Sequence, residues 1–251
     1  MKRNLLDKIL FYLSVPKCVG CGGILDIDDF GLCKECETVF AQKTVRNCSR
    51  CSKTLNSCRC APKLLRDNRV RSLSKCYRYI INEENRVLNN LLFSLKKDNR
   101  KDVLLRMSYL LADSIRNLTD DLSELLITNV PRRKQSIKKY GIDHSALLAK
   151  TTAKILGLKY ASTLKSKAQR QQKNLNREER IENANFEVKK SAFVNGRKII
   201  LIDDIVTTGA SMAKSANVLR KSGAKKVYGA CIAIAYRDEY TPPMKSYTSF
   251  I

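Results

Sequence analysis

The stretch Ile199-Ile-Leu-Ile-Asp-Asp-Ile-Val-Thr-Thr-Gly-Ala-Ser211 joins an apolar strand, two acids and a hydroxyl-rich glycine turn. Four consecutive aliphatic residues at 199–202 suit a strand buried on both faces of a parallel sheet, and Arg197 and Lys198 mark its solvated start. Asp203 and Asp204 are then expected at the strand's carboxyl end. Open α/β sheets bind ligands there, and carboxylates in that place can accept hydrogen bonds from sugar hydroxyls. Thr207, Thr208, Gly209, Ala210 and Ser211 lead into 212–222, a stretch of helix-forming composition that stops at Gly223. A phosphate suits that junction: backbone N–H groups and the positive end of the helix dipole face it, and Gly209 lets the backbone approach closely. A Walker B strand also ends in acids, but the G-x-x-x-x-G-K-[ST] loop it requires occurs nowhere in the 251 residues.

Upstream, 71–81 reads as a strand with Tyr77 and Tyr79 on one face. The segments 85–96, 103–115 and 145–156 carry apolar residues at helical spacing, and Gly157 ends the last of them. A strand is expected at 124–130, ended by Pro131, and another at 226–235. Strands alternating with helices argue an α/β fold with a parallel sheet flanked by helices. Directly after the 124–130 strand, Arg132, Arg133 and Lys134 form a cation cluster suited to a polyphosphate.

Ten cysteines are present, eight of them in the first sixty residues as Cys18-x-x-Cys21, Cys33-x-x-Cys36, Cys48-x-x-Cys51 and Cys58-x-Cys60. Two such pairs close one tetrahedral zinc site, so the spacing predicts two structural zincs: Cys18, Cys21, Cys33 and Cys36 for the first, Cys48, Cys51, Cys58 and Cys60 for the second. Disulfides would need an oxidising compartment. The first fifteen residues begin basic, but Asp7 and Lys8 interrupt the apolar stretch and no small-residue cleavage site follows; Leu5, Leu6, Ile9, Leu10 and Leu13 instead mark one face of a short amphipathic helix, too short to span a membrane. A cytoplasmic zinc module is therefore expected, with Cys76 and Cys231 as ordinary buried thiols. The polar, basic segment 61–70 holds the boundary between a helix-plus-cysteine module at 1–66 and an α/β domain at 67–251.

Forty-eight Lys and Arg against 24 Asp and Glu give a formal charge of +24, beyond what solubility requires, and point to a polyanionic partner. Residues 131–180 hold 14 basic and three acidic residues, a net +11. Nucleic acid is the natural partner for such a surface.

The 199–211 stretch resembles, over its whole length, the phosphoribosyl-pyrophosphate (PRPP) signature of type I phosphoribosyltransferases. Tyr140-Gly-Ile-Asp-His-Ser-Ala-Leu-Leu-Ala149 is similar to the R-G-[FY]-[ND]-[QH]-x-x-x-L-A pattern of the ComF family of bacterial competence proteins. Residues 171–186 are similar to that family's Q-x-x-L-x-x-x-x-R-x-x-N-x-x-x-F segment. With the paired-cysteine module and Leu95-Lys96 at the family's L-K pair, the resemblance runs from Cys18 to Tyr236. Tyr140 and Ile142 depart from the family's arginine and aromatic, and Lys138 and Lys139 stand beside them as substitute cations.

The resemblance implies a type I phosphoribosyltransferase-like domain behind an N-terminal double zinc ribbon. It gives the ribose 2- and 3-hydroxyls to Asp203 and Asp204, the 5-phosphate to 207–211, and the pyrophosphate to Arg132, Arg133 and Lys134, with magnesium bridging the ligand. Lys138, Lys139, Gln171, Gln172, Lys173 and Arg180 would belong to a covering segment or to a DNA contact surface. His144, the only histidine, stands where the family tolerates glutamine, so helix capping or a ligand hydrogen bond suits it better than proton transfer. Two functions remain open on this resemblance. One is a competence protein that handles incoming single-stranded DNA while binding Mg-PRPP or a related ligand, with a competence helicase as a further partner. The other is a true phosphoribosyltransferase, transferring pentose to a nucleobase or amine.

Overall fold

The computed structural model describes residues 16–97, 100–119, 121–132, 137, 141–166, 186–190 and 192–235. A five-stranded parallel sheet forms the centre. Its strands are β1 (Leu73–Arg78), β2 (Leu126–Asn129), β3 (Lys159–Tyr160), β6 (Lys198–Val206) and β7 (Lys226–Ile234), in the spatial order β1-β7-β6-β2-β3. A separate antiparallel pair, β4 (Leu164–Ser166) and β5 (Phe186–Val188), had no signal in the hydrophobic pattern.

Helices cover both faces, and the alternation of side chains along β6 shows why the strand reads as continuously apolar. Ile200 and Ile202 pack with Leu91, Met107, Leu111 and Leu148 from α3 (Arg86–Lys97), α4 (Lys101–Arg116) and α5 (His144–Leu156). Ile199 and Leu201 pack on the opposite face with Leu65, Met212 and Leu219, from α2 (Lys63–Asp67) and α6 (Ala210–Lys221). Gly229 lets α6 sit close on the sheet, since a Cβ there would meet Met212 Sδ at 2.8 Å and Leu73 Cδ1 at 2.9 Å.

The first cysteine group is part of the main core. Cys18, Leu32, Cys36 and Phe40, the last two on α1 (Lys34–Thr44), join the cluster that holds Val103 and Met107. The second group packs around Leu55 and is tied to β1 by a bridge between Cys60 and Ser72.

The boundary segment 61–70 contains α2, whose Leu65 is fully buried behind the 207–211 turn. One expectation changes. Strand β6 does not stop at Ile202 but continues through both acids to Val206, because β7 runs alongside and pairs Asp203 with Cys231, Ile205 with Ala233 and Val206 with Ile234. The amphipathic helix expected in the first fifteen residues and the C-terminal tail lie outside the described residues.

Candidate functional site

The order β1-β7-β6-β2-β3 contains one reversal. From β2 the chain crosses through α5 outward to β3, whereas from β6 it crosses through α6 to β7 on the other side. The crevice between the carboxyl ends of β2 and β6 is therefore the topological switch point, where open α/β sheets bind ligands. Strand β6 brings Asp203 and Asp204 to it, and the turn after β2 brings Arg132.

These groups meet. Arg132 Nη2 donates to Asp204 Oδ2 at 2.6 Å, and Lys96 Nζ, at the end of α3, lies 3.5 Å from the same oxygen. The backbone N–H of Ile205 donates to Asp204 Oδ1 at 2.7 Å, and that of Asp204 to Asp203 Oδ1 at 2.9 Å. Burial pushes the Asp204 carboxyl up, but Lys96 and Arg132 outweigh it and hold the group below the usual carboxylate range. Asp203 is pushed well above that range by burial and by the neighbouring Asp204 charge. The pair thus holds one firm carboxylate with two cations and one carboxyl that resists ionisation.

The turn that carries Arg132 is braced from beneath. Ser145 Oγ donates to the carbonyl of Val130 at 2.8 Å, Asn129 Nδ2 reaches Ser145 Oγ at 3.3 Å, and Tyr160 Oη donates to Asn129 Oδ1 at 3.0 Å. Asp143 caps α5 by accepting from the Ala146 N–H. The cap is thus Asp143, and His144 opens the helix beside it, with Nδ1 3.5 Å from Arg132 Nη1. Arginine can only donate, so this contact favours a bare Nδ1 with the ring proton on Nε2. Burial, then the Arg132 charge, lowers the His144 pKa, which keeps the ring neutral near pH 7.

On the other side of the crevice, Thr207 and Ser211 are exposed, while Gly209 takes φ +81° as the residue before α6. The first turn of α6 offers the N–H groups that a phosphate needs. Thr208 Oγ1 accepts from the Ala210 N–H at 3.3 Å, so the turn is already shaped around its own hydroxyl. A Cβ on Gly209 would lie 3.2 Å from Leu65 Cγ. Gly209→Ala is therefore expected to strain the positive φ and press on α2, costing about 1–2 kcal/mol of stability. Denaturant unfolding checks this.

Of the cations proposed for pyrophosphate, Arg132 is in the crevice; Arg133 and Lys134 lie outside the described residues, as do Lys138, Lys139, Gln171, Gln172, Lys173 and Arg180. Lys96 is the group that sequence reasoning passed over as a ligand contact. Its place in the Leu95-Lys96 pair was visible, but the fold alone brings the end of α3 to the crevice.

The cysteines assemble as two quartets, Cys18, Cys21, Cys33, Cys36 and Cys48, Cys51, Cys58, Cys60, each with its four sulfurs within 4.8 Å of one another. A tetrahedral zinc with Zn–S near 2.3 Å separates its sulfurs by about 3.8 Å. Cys21 and Cys33 are 3.8 Å apart and Cys51 and Cys58 3.5 Å, so both quartets fit that ion, and all ten cysteines are free thiols. The Cys33 N–H donates to Cys18 Sγ at 3.3 Å, and the Cys60 N–H to Cys58 Sγ at 3.3 Å, contacts that favour thiolate. Cys76 and Cys231 are buried and belong to neither quartet.

Comparison with known proteins follows this division. Residues 142–251 match the phosphoribosyl transferase domain family. The chain is 27% identical over 223 residues to competence protein ComFC of Streptococcus pneumoniae, covering 84% of this chain and 96% of that one. The likeness to ComFC thus spans most of both chains. The α/β domain has the parallel sheet and flanking helices of a type I phosphoribosyltransferase. Ribose-phosphate pyrophosphokinase of Pyrococcus abyssi is 36% identical over 81 residues, 32% of this chain and 24% of that enzyme, so the chain spans about a quarter of that relative. Phosphoribosylpyrophosphate synthetase of Mycobacterium smegmatis superposes with a TM-score of 0.36 at 22% identity, over 52% of this chain and 34% of that one. No helix among the described residues is long and apolar enough to cross a membrane.

Proposed function

We propose that the chain is a cytoplasmic ComF-type protein of natural competence, which handles incoming single-stranded DNA and holds a PRPP-like ligand with magnesium at the β2–β6 crevice. The observation that carries this reading is the union, in one ComFC-like chain, of a crevice lined by two acids and two cations and two cysteine quartets with a surplus of 24 positive charges. The two quartets hold zinc structurally: each has four thiolate ligands and no position open for substrate.

In the crevice, Asp203 and Asp204 accept from the ribose hydroxyls and the first turn of α6 takes the 5-phosphate. Lys96 and Arg132, now satisfied by Asp204, turn to the pyrophosphate as it enters. Magnesium, entering with the ligand's pyrophosphate, would screen its charge. Exchanging these partners frees Asp204 to accept from a ribose hydroxyl while both cations stay paired with an anion.

A second reading is a transferase, and the intact acid pair beside two cations favours it. Loss of pyrophosphate from PRPP builds positive charge at the anomeric carbon, which Asp203 and Asp204 would stabilise from the ribose side while Arg132 and Lys96 hold the leaving group.

The two readings part on DNA. Single-stranded DNA is expected to bind the full chain at about 50 mM salt, and log affinity should fall linearly with log salt, at a slope of about −0.7 per phosphate neutralised. Fluorescence anisotropy of a labelled oligonucleotide measures this. Absence of binding at low salt, with pyrophosphate released in the presence of an acceptor base or amine, would leave the transferase reading alone.

A further inference from the structure

Lys75 is a lysine in the middle of β1 with only 3% of its surface exposed. A buried ammonium needs an anion or a full set of acceptors, because its isolated charge costs several kcal/mol to take out of water. Among the described residues no carboxylate forms an ion pair with it. The acid in line with it across the sheet is Asp203, reached through Cys231; that is two strand spacings away, about 10 Å, too far to pair.

Its Nζ instead points into the second cysteine quartet. It donates to Cys60 O at 2.8 Å and to Cys58 Sγ at 3.1 Å, and lies 3.3 Å from Cys58 O and 3.4 Å from Leu73 O. An ammonium has three protons, so two are committed to the Cys58–Cys60 pair and the third is shared between the remaining carbonyls. Carbonyls satisfy its hydrogen bonds but do not cancel its charge. Four thiolates around one Zn(II) carry a net charge of −2, and that is the missing anion.

We propose that Lys75 is the counter-cation of a tetrathiolate zinc centre at Cys48, Cys51, Cys58 and Cys60, a positioning residue that donates an N–H···S bond to Cys58 and fastens the metal site to the central sheet. It rests on the zinc reading given above. The arrangement is directional: the Cys60–Ser72 bridge and the Leu73 N–H to Arg59 O bond of 3.1 Å hold the Cys58–Cys60 turn along β1, and Lys75 closes the same turn from inside. The first quartet has no lysine among its hydrogen-bond partners in the described residues, so the two centres should differ in how they respond to loss of this charge.

Outer partners of metal ligands typically contribute 10–100-fold to metal affinity. The test uses the zinc-loaded full chain. Wild-type protein and Lys75→Met are exposed to a chromophoric zinc chelator, and the release of each zinc is timed. Lys75→Met is expected to lose one zinc at least about 10-fold faster than wild type and the other at the wild-type rate, and Lys75→Arg to restore slow release. In cobalt-substituted protein, the thiolate-to-metal charge-transfer bands of one centre should move to longer wavelength in Lys75→Met, since an N–H···S bond lowers the sulfur donor level. A folded Lys75→Met that releases both zincs at wild-type rates with unchanged cobalt spectra overturns the inference. If Lys75→Met is recovered only as aggregate, Lys75→Arg decides: soluble with two slowly released zincs supports it, and aggregation of this variant too overturns it. A wild-type chain with one zinc would instead reject the second site itself.

Discussion

Replacing Asp203 with asparagine is expected to raise the melting temperature of the ligand-free protein and to erase its stabilisation by Mg-PRPP. Among the described residues, Arg132 at 2.6 Å and Lys96 at 3.5 Å both pair with Asp204 Oδ2, and Asp203 is left half-buried beside a like charge. Its pKa is raised in the folded state, by burial first and by Asp204 second. A raised carboxyl favours folding below the ordinary Asp value of about 3.9, and that contribution is lost as pH rises toward the folded value. At pH 7 the wild type therefore carries a cost that asparagine removes, and the gain in melting temperature should vanish near pH 4. Each kcal/mol should appear as about 2–4 °C in a chain of this size.

Asp204→Asn should do the opposite in the ligand-free protein. Its folded pKa is lowered by Lys96 and Arg132 against burial, so its contribution is present above the unfolded value and is lost as pH falls through the folded one. Removing the carboxylate leaves Arg132 and Lys96 without their shared acceptor. Both variants should lose PRPP together, since each removes a charge-assisted hydrogen bond of about 1.5–3 kcal/mol, and the double variant should bind about 10²–10⁴-fold more weakly. Differential scanning fluorimetry between pH 4 and 8, with and without ligand, separates the two signs.

Removal of zinc should have the largest effect on stability. Cys18 and Cys36 sit in the same apolar cluster as Met107, Leu111 and Ile200, so the first centre is part of the core and not an appendage. Without a metal, burial pushes the Cys36 thiol up, while the N–H groups of Cys33, Cys21 and Gly20 overcome burial at Cys18 and bring it to about 7. A divalent cation resolves that mixture by ionising all four. Zinc sites in small peptides contribute about 10–16 kcal/mol at pH 7. Metal analysis should find two zincs per chain, and one in the Cys21→Ser, Cys33→Ser variant. That variant should melt at least about 10 °C below wild type. Equal melting with and without metal would contradict the assignment.

What the sequence disclosed follows from how local each signal is. The quartets were legible because C-x-x-C spacing fixes two ligands within one turn, and the sheet was legible because 199–202 is apolar at every position. The acid pair's place next to that apolar run was legible too, although its strand was drawn four residues short. Acids do not look like strand, yet β7 continues beside them and supplies the hydrogen bonds. Lys96 and Lys75 were not assigned roles, for the same physical reason. Lysine is ordinarily a solvated residue, and only the tertiary fold brings one to Asp204 and buries the other against Cys58. The packing of Leu65 behind Gly209 likewise has no local signature in a segment rich in charge.

The central claim is a phosphoribosyl site at the β2–β6 crevice, and calorimetric titration of Mg-PRPP into the zinc-loaded full chain tests it most directly. Saturable binding at one site per chain, displaced by ribose 5-phosphate and lost in the Asp203→Asn, Asp204→Asn variant, is the predicted result. An absence of saturable heat, or the same affinity in the double variant, would contradict it.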